Sequence, residues 1–364
     1  MPVALFDTTT ALAPLRAQID AAIADVVAQR RFILGPQVAA FEEEFARYCG
    51  TRHAVGVANG TDALTIALRA MGVGPGDEVI VPSFTFYATA EAVPATGGRP
   101  VFCDVDLDTH CITADTVAAA LTPATKAVVA VHLFGNLAPV AEIEALGVPV
   151  LEDAAQAAGT RGPGGDRPGA LGRAATFSFF PSKNLACFGD GGAITTDDDA
   201  LADDARMLRF HGSRDKVTYE HVGYNSRLDE LQAAILRVQL PQLDAWADGR
   251  RAGARHYADA GLGELVALPA ASPRSEPAWH LYVVRSERAE ELAAGLPAHG
   301  IGCKAYYRTP VHRQPAMLPF AAGVELPVTD ELARTHLALP MSPVLSAEQA
   351  AEVTAAVRAV LGRS

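Results

Sequence analysis

Val148-Pro149-Val150-Leu151-Glu152-Asp153-Ala154-Ala155-Gln156 runs from a short apolar strand into two acids and then small residues. The strand is read over Val148–Leu151, with Pro149 near its start, where a missing N–H is tolerated. A short, wholly apolar strand suits a parallel sheet covered by helices on both faces. A carboxylate directly after such a strand stands at the C-terminal edge of the sheet, where α/β folds keep their ligand sites. Asp153 is therefore a candidate site residue, although it equally suits the N-cap of a following helix.

The sequence on either side alternates in the same sense. Strands are expected at His53–Val57, Glu78–Val81, Pro100–Cys103 and Ala127–Leu133. Helices are expected at Gly35–Cys49, Ala63–Met71, Phe84–Val93 and Pro139–Leu146, with turns at Asn59–Asp62 and Gly72–Asp77. After Phe177–Thr196 the pattern changes. Helices at Ala200–Phe210 and Leu228–Leu240 lead into a region that mixes helices with two strand candidates, His280–Arg285 and Gly302–Tyr307. The expected fold is α/β. A large, mostly parallel-sheet α/β/α domain covers residues 1–243, and a smaller C-terminal α+β domain covers residues 244–364. A chain of 364 residues is long enough for both.

A net charge of −12 disfavours a general nucleic-acid binder, which wants a basic face. No apolar run approaches the roughly 20 residues of a membrane span. The start, Met1 to Asp7, lacks the basic and apolar regions of a signal peptide, so a cytoplasmic protein is expected. Cys49, Cys103, Cys111, Cys187 and Cys303 are odd in number and widely spaced, which suggests neither a disulfide framework nor a metal site.

Lysine is scarce: Lys126, Lys183, Lys216 and Lys304 are the whole set. Lys183 follows the apolar run Ala175–Phe180 and precedes the glycine-rich Gly189-Asp190-Gly191-Gly192. An amine held there would be partly desolvated, which lowers its pKa and frees its lone pair for Schiff-base chemistry. Alone, it also fits a strand-end lysine with its head in water. Pyridoxal 5′-phosphate (PLP) needs such a lysine, and a carboxylate such as Asp153 against its pyridine nitrogen. Gly60 and Thr61, at the entrance to a helix, offer free N–H groups and a hydroxyl to a phosphate, and Ser178 could add another hydroxyl. Phe86 could stack on a flat ring, or belong with Phe84 to the core. Helix-entrance Gly-Thr, then an aromatic, then a strand-end Asp, then Ser-x4-Lys is the chain order of a PLP enzyme with the aspartate-aminotransferase-like fold.

Longer stretches carry a resemblance. They include Asn59-Gly60-Thr61-Asp62-Ala63-Leu64, Gly76–Ser83, Glu152–Gln156, Phe177–Asn184 with Gly189–Ala193, Gly223–Ala234 and Leu339-Pro340-Met341-Ser342-Pro343. Together they resemble the DegT–StrS family of nucleotide-sugar aminotransferases from end to end. The resemblance implies the fold type I PLP-transferase architecture and a role for each matched residue. Lys183 would hold the cofactor and shuttle the proton, and Asp153 would meet the pyridine nitrogen. Gln156 would lie at the 3′-oxygen side of the ring, with Phe86 stacked on it. Gly60, Thr61 and Ser178 would hold the phosphate. Asn225 would reach the neighbouring subunit's cofactor, which implies a homodimer with shared active sites.

Relatives that deoxygenate sugars carry His in place of Lys183, so amine transfer is the implied reaction. Glutamate or glutamine would be the donor and a nucleotide keto-sugar the acceptor. Phe210–Ser213 with Lys216, Tyr219 and Gly223–Leu228 is similar to enzymes that aminate C3 of dTDP-linked 6-deoxy keto-sugars. A 4-keto nucleotide sugar or a cyclitol ketone stays as an alternative, as does a non-catalytic relative that kept the fold. Tyr306, Tyr307, Arg308 and His312 could face the substrate, or form a packed strand end and loop. One departure from the family pattern is Ala186, where many relatives have Gly.

Overall fold

A computed structural model describes residues 2–362. Seven strands form the main sheet: β1 (His53–Val57), β2 (Glu78–Pro82), β3 (Arg99–Cys103), β4 (Thr125–Val131), β5 (Val150–Asp153), β6 (Ala174–Ser178) and β7 (Gly192–Thr196). Their order across the sheet is β1-β7-β6-β5-β4-β2-β3. Only β7 runs against its neighbours; β2 to β6 are parallel wherever they pair.

Helices α1 (Arg16–Gln29), α2 (Pro36–Cys49), α3 (Gly60–Ala70), α4 (Ala88–Glu91), α5 (Ala114–Ala120), α6 (Val140–Glu144), α7 (Asp199–Leu208) and α8 (Glu230–Gln239) accompany this sheet. Successive strand residues point to opposite faces, and the cores follow that period of two. Val55, Val57 and Ile194 join a core with Ile66 and Leu68 of α3. Their chain neighbours Ala54 and Ala193 join Phe41 and Phe45 of α2 and Phe177 and Phe179 on the other face. The sheet is thus covered on both sides, as its apolar strands require.

The remaining helices are α9 (Leu243–Asp259), α10 (Ala289–Gly295), α11 (Pro327–Thr335) and α12 (Ala347–Val360). They surround a two-stranded antiparallel sheet of β8 (Tyr282–Arg285) and β9 (His336–Leu339). Tyr282, Val284, Leu337 and Leu339 build a second core with Tyr257, Val353 and Val357, which also takes in Val3. Leu281 and Val283 face the other way, into the core of the large sheet.

Several elements differ from the sequence reading. The segment Gly302–Tyr307 is not a strand. Gly302 donates to the Val3 carbonyl at 2.8 Å, and two residues later Lys304 bridges to Ala338. A segment that changes partner so quickly makes no ladder, and β9 takes the place beside β8. The helix expected over Phe84–Val93 shrinks to α4. Ser83 to Thr85 form a bend instead, which buries Phe84 and Thr85 and leaves Phe86 59% exposed. Conversely, α3 begins at Gly60 rather than Ala63, because the Asn59 side chain caps it by accepting from Asp62 N at 2.8 Å.

Candidate active site

The parallel strands end on one edge of the sheet, and the chain segments leaving them meet over a cavity of about 570 Å³. The end of β2 leads to Thr85 and Phe86, β4 ends in Val131, β5 in Asp153 and β6 in Ser178, and all five residues line the cavity. After β1 comes the start of α3, which contributes Gly60 and Thr61. The small sheet and its approaches close the opposite side with His280, Lys304, Tyr306 and Tyr307.

Lys183 stands in the wall between these two sides. A turn puts it there: Lys183 N donates to the Phe180 carbonyl at 2.8 Å. The loop is tied at its neck, where Phe179 N donates to the Gly191 carbonyl and Cys187 N to the Phe179 carbonyl. Asn184 anchors it further by donating to the carbonyls of Ala158 and Ala278 at 3.1 and 3.3 Å. Desolvation draws the Lys183 amine down from 10.5 to about 8, partly offset by the Asp153 charge.

Asp153 is 5% exposed. Its register on β5 is fixed by pairing with Val131 on one side and Thr176 on the other. No helix follows to be capped; its Oδ1 instead accepts from Ala155 N at 3.2 Å, within a turn. Its Oδ2 accepts from Thr89 Oγ1 at 2.8 Å. Burial raises its pKa, and the bonds from Thr89 and Ala155 with the Lys183 charge oppose that rise.

The start of α3 packs hard against β6. A Cβ on Gly60 would come within 2.7 Å of Ser178 Cβ, and one on Gly192 within 2.5 Å of the Asn59 carbonyl oxygen. Glycine at both places lets the helix entrance lie on the strand end beside the Ser178 hydroxyl. The first N–H groups of a helix have no acceptor within it, so Gly60 and Thr61 have donors to offer an anion.

Gln156 is fixed at both ends. Its Oε1 accepts from Phe134 N at 2.7 Å, and its Nε2 donates to the Tyr307 hydroxyl at 3.2 Å. Phe86 projects into the cavity 6.3 Å from the Tyr307 ring. Tyr306 and Tyr307 therefore share the cavity with Lys183, but Arg308 and His312 do not line it. Arg308 turns outward to Glu290 at 2.9 Å, and His312 is buried with its Nδ1 2.6 Å from Ser83 Oγ. Asn225 is exposed and outside the cavity, its side-chain oxygen held by Arg227. Ala186 is nearly buried, and its carbonyl accepts from Gln239 Nε2 at 2.7 Å.

The profile of the DegT/DnrJ/EryC1/StrS aminotransferase family matches residues 14–358. The chain belongs to this family. Among its relatives is the dTDP-3-amino-3,4,6-trideoxy-alpha-D-glucose transaminase of Streptomyces venezuelae, 47% identical over 98% of this chain and 95% of the relative. The X-ray structure of S. venezuelae DesV in complex with a ketimine intermediate superposes with a TM-score of 0.95 at 46% identity, covering 100% of this chain and 99% of that one. NtdA from Bacillus subtilis with bound cofactor PMP superposes at 0.86 and 30% identity, over 95% of this chain and 81% of that one. The sheet of this DegT/DnrJ/EryC1/StrS aminotransferase is the α/β architecture expected from the sequence.

Sequence reading missed some residues in and behind the cavity wall of this family member. Thr89 falls within the helix expected over Phe84–Val93, and its hydroxyl meets Asp153 from behind the cavity wall because α4 lies against the strand end. Phe6, His280 and Lys304 come from distant parts of the chain, and no spacing connects them. His280, next to β8, carried a signal of its own: a histidine among apolar residues. It is buried, 3.4 Å from Asn184 Oδ1, and desolvation with the nearby Lys183 and Arg250 charges holds its pKa well below the usual value. No helix among the described residues is long and apolar enough to cross a membrane.

Proposed function

We propose that this chain is a PLP-dependent aminotransferase that moves an amino group from glutamate or glutamine to a keto-sugar of a nucleotide sugar. A dTDP-3-keto-6-deoxyhexose is the favoured acceptor. The observation that carries the proposal is one cavity lined by Lys183, with its amine drawn down to about 8, and by the buried carboxylate Asp153. The likeness to the 3-amino-sugar transaminase of S. venezuelae supports the acceptor. A 4-keto nucleotide sugar or a cyclitol ketone is the alternative acceptor.

Bound here, PLP would supply an electron sink for the carbanion formed at the carbon that exchanges its amine. The site residues fit it. Gly60, Thr61 and Ser178 would hold its phosphate where a Cβ at residue 60 would strike Ser178. Asp153 would hold a proton at the pyridine nitrogen in its ionised form, which the bonds from Thr89 and Ala155 and the nearby Lys183 charge favour against its burial. Phe86 would cover one face of the ring, and Gln156 would lie at the 3′-oxygen side. The Lys183 Nζ would move the proton, since an amine near pKa 8 is neutral in a useful fraction at physiological pH.

In the same reading, Tyr306 and Tyr307 flank the substrate from the small sheet. Asn225, outside its own cavity, would act in the neighbouring subunit, so the enzyme would be a homodimer with shared active sites. The large domain would end at residue 243. The five unpaired cysteines suit a reducing, cytoplasmic setting. Two measurements test the function. Purified protein with PLP should show a borohydride-sensitive chromophore that Lys183→Ala lacks. Mass spectrometry of products from a panel of 3-keto and 4-keto nucleotide sugars with glutamate should show the amine. A wild-type protein indistinguishable from Lys183→Ala in both would refute it.

A further inference from the structure

We propose that Lys304 is a specificity-determining residue whose ammonium binds an anionic group of a substrate held in the Lys183 cavity. The inference rests on the function proposed above and deepens it.

Two of the chain's four lysines, Lys183 and Lys304, line the same cavity. Lys183 is committed to the cofactor in that reading, which leaves Lys304 as the cavity's other lysine. Its backbone is held on both sides. Lys304 N donates to the Ala338 carbonyl at 3.2 Å, and Ala338 N donates to the Lys304 carbonyl at 2.9 Å. The side chain therefore starts from a fixed point beside β9. Its Nζ lies 5.0 Å from the centre of the Tyr306 ring, itself part of the cavity wall.

The arginines of this segment are already matched to acids, Arg308 to Glu290 and Arg313 to Asp330. Among the described residues Lys304 has no such partner. An ammonium resting on an aromatic face is weakly held. A carboxylate or phosphate oxygen offers it a charge-assisted bond, roughly twice as strong as a neutral one. Lysine presents a compact point charge on a flexible stem, so it suits either anion and imposes no planar geometry.

Two substrates carry such a group: the amino donor through its carboxylates, and the nucleotide sugar through its diphosphate. The experiment separates them with Lys304→Gln and Lys304→Arg holoenzymes. One arm reads the half-reaction with L-glutamate alone. The other reads equilibrium binding of dTDP by calorimetry. Lys304→Gln should raise either the glutamate KM or the dTDP dissociation constant roughly 10-fold or more, the loss of one hydrogen bond to a charged group. The other constant should stay within about 2-fold, the change should fall on KM and not kcat, and Lys304→Arg should recover most of it.

Both constants unchanged would overturn the assignment. So would parallel losses in both that follow a loss of PLP affinity or of thermal stability, since Lys304 would then serve the cofactor or the fold. The borohydride-sensitive absorbance of the wild type is read in the same samples. Its absence sinks the proposed function and this role together. Its presence alongside unchanged constants in Lys304→Gln sinks the role of Lys304 alone.

Discussion

Thr89 Oγ1 donates to Asp153 Oδ2 at 2.8 Å, from a four-residue helix turned back over the end of β5. Thr85 Oγ1 lies 3.1 Å from Thr89 Oγ1, so the carboxylate sits at the end of a short chain of buried hydroxyls. These hydroxyls favour the ionised form of an acid that burial would otherwise neutralise. Thr89→Val keeps the shape and removes the donor. A hydrogen bond to a charged group is worth roughly 1.5–3 kcal/mol, so PLP affinity should fall about 10-fold or more. Absorbance titration of the apoprotein with PLP reads the change. Affinity within about 2-fold of the wild type would show that Thr89 does not support the site.

The pH dependence of cofactor capture follows from Lys183. Its amine is nucleophilic only when neutral, and its pKa is lowered to about 8. The rate of chromophore formation should therefore rise with pH and level off above about 8, well below an ordinary lysine near 10.4. Stability carries the same sign. Between about 8 and 10.4 the unfolded chain holds a proton at this residue that the folded chain does not, so the lysine's penalty is full below about 8 and fades as pH rises. Apo Lys183→Met should melt higher than the wild type at pH 7, by a margin that shrinks toward pH 10.5. Calorimetry of the two apoproteins across that range checks it, and a constant margin would contradict the burial of the amine.

Asp153 and Lys183 could be picked out because each stands beside a local signal, a strand end and a glycine-rich turn. The alternation of apolar strands with helices was equally legible, since its period is written in adjacent residues. Phe84–Phe86 misled because the chain bends there over the cavity, while the residues that follow suggest a helix. Arg308 and His312 misled in another way. Their side chains turn to Glu290 and Ser83, partners 18 and 229 residues away that no local pattern announces. The same long range hides the shared cavity of Lys304 and Lys183.

A second long-range contact holds the N-terminal half of the fold together. The Glu230 carboxylate, 1% exposed, accepts from the N–H groups of Gly35, Gln37 and Val38 at 2.8 to 2.9 Å. It thereby caps α2 from the start of α8, using the positive end of the helix dipole. Glu230→Gln replaces one acceptor oxygen by a donor aimed at N–H groups. The expected cost is roughly 1.5–3 kcal/mol, visible as a lower urea midpoint with an unchanged slope. PLP affinity per folded molecule should hold, because Glu230 does not line the cavity. A midpoint equal to the wild type would mean that water replaces the carboxylate without cost.

Gly60 offers the sharpest test of the phosphate side, because its constraint has a single named cause. An added Cβ would meet Ser178 Cβ at 2.7 Å and Ser178 Cα at 3.3 Å, a contact that neither a rotamer change nor a flexible tip can relieve. Gly60→Ala must push the α3 entrance away from β6. Overpacking of this kind costs about 1–3 kcal/mol, and the displaced N–H groups should weaken PLP binding as well. Removing the opposing Cβ isolates the cause. In Gly60→Ala/Ser178→Gly the 2.7 Å contact no longer exists, so stability should recover in large part. PLP affinity should recover less, because the Ser178 hydroxyl is lost with the Cβ. Thermal melts and PLP titrations of the two single variants and the double variant make the comparison. If stability is additive across the three, the helix entrance and Ser178 are not in contact, and the phosphate cradle drawn from that contact falls.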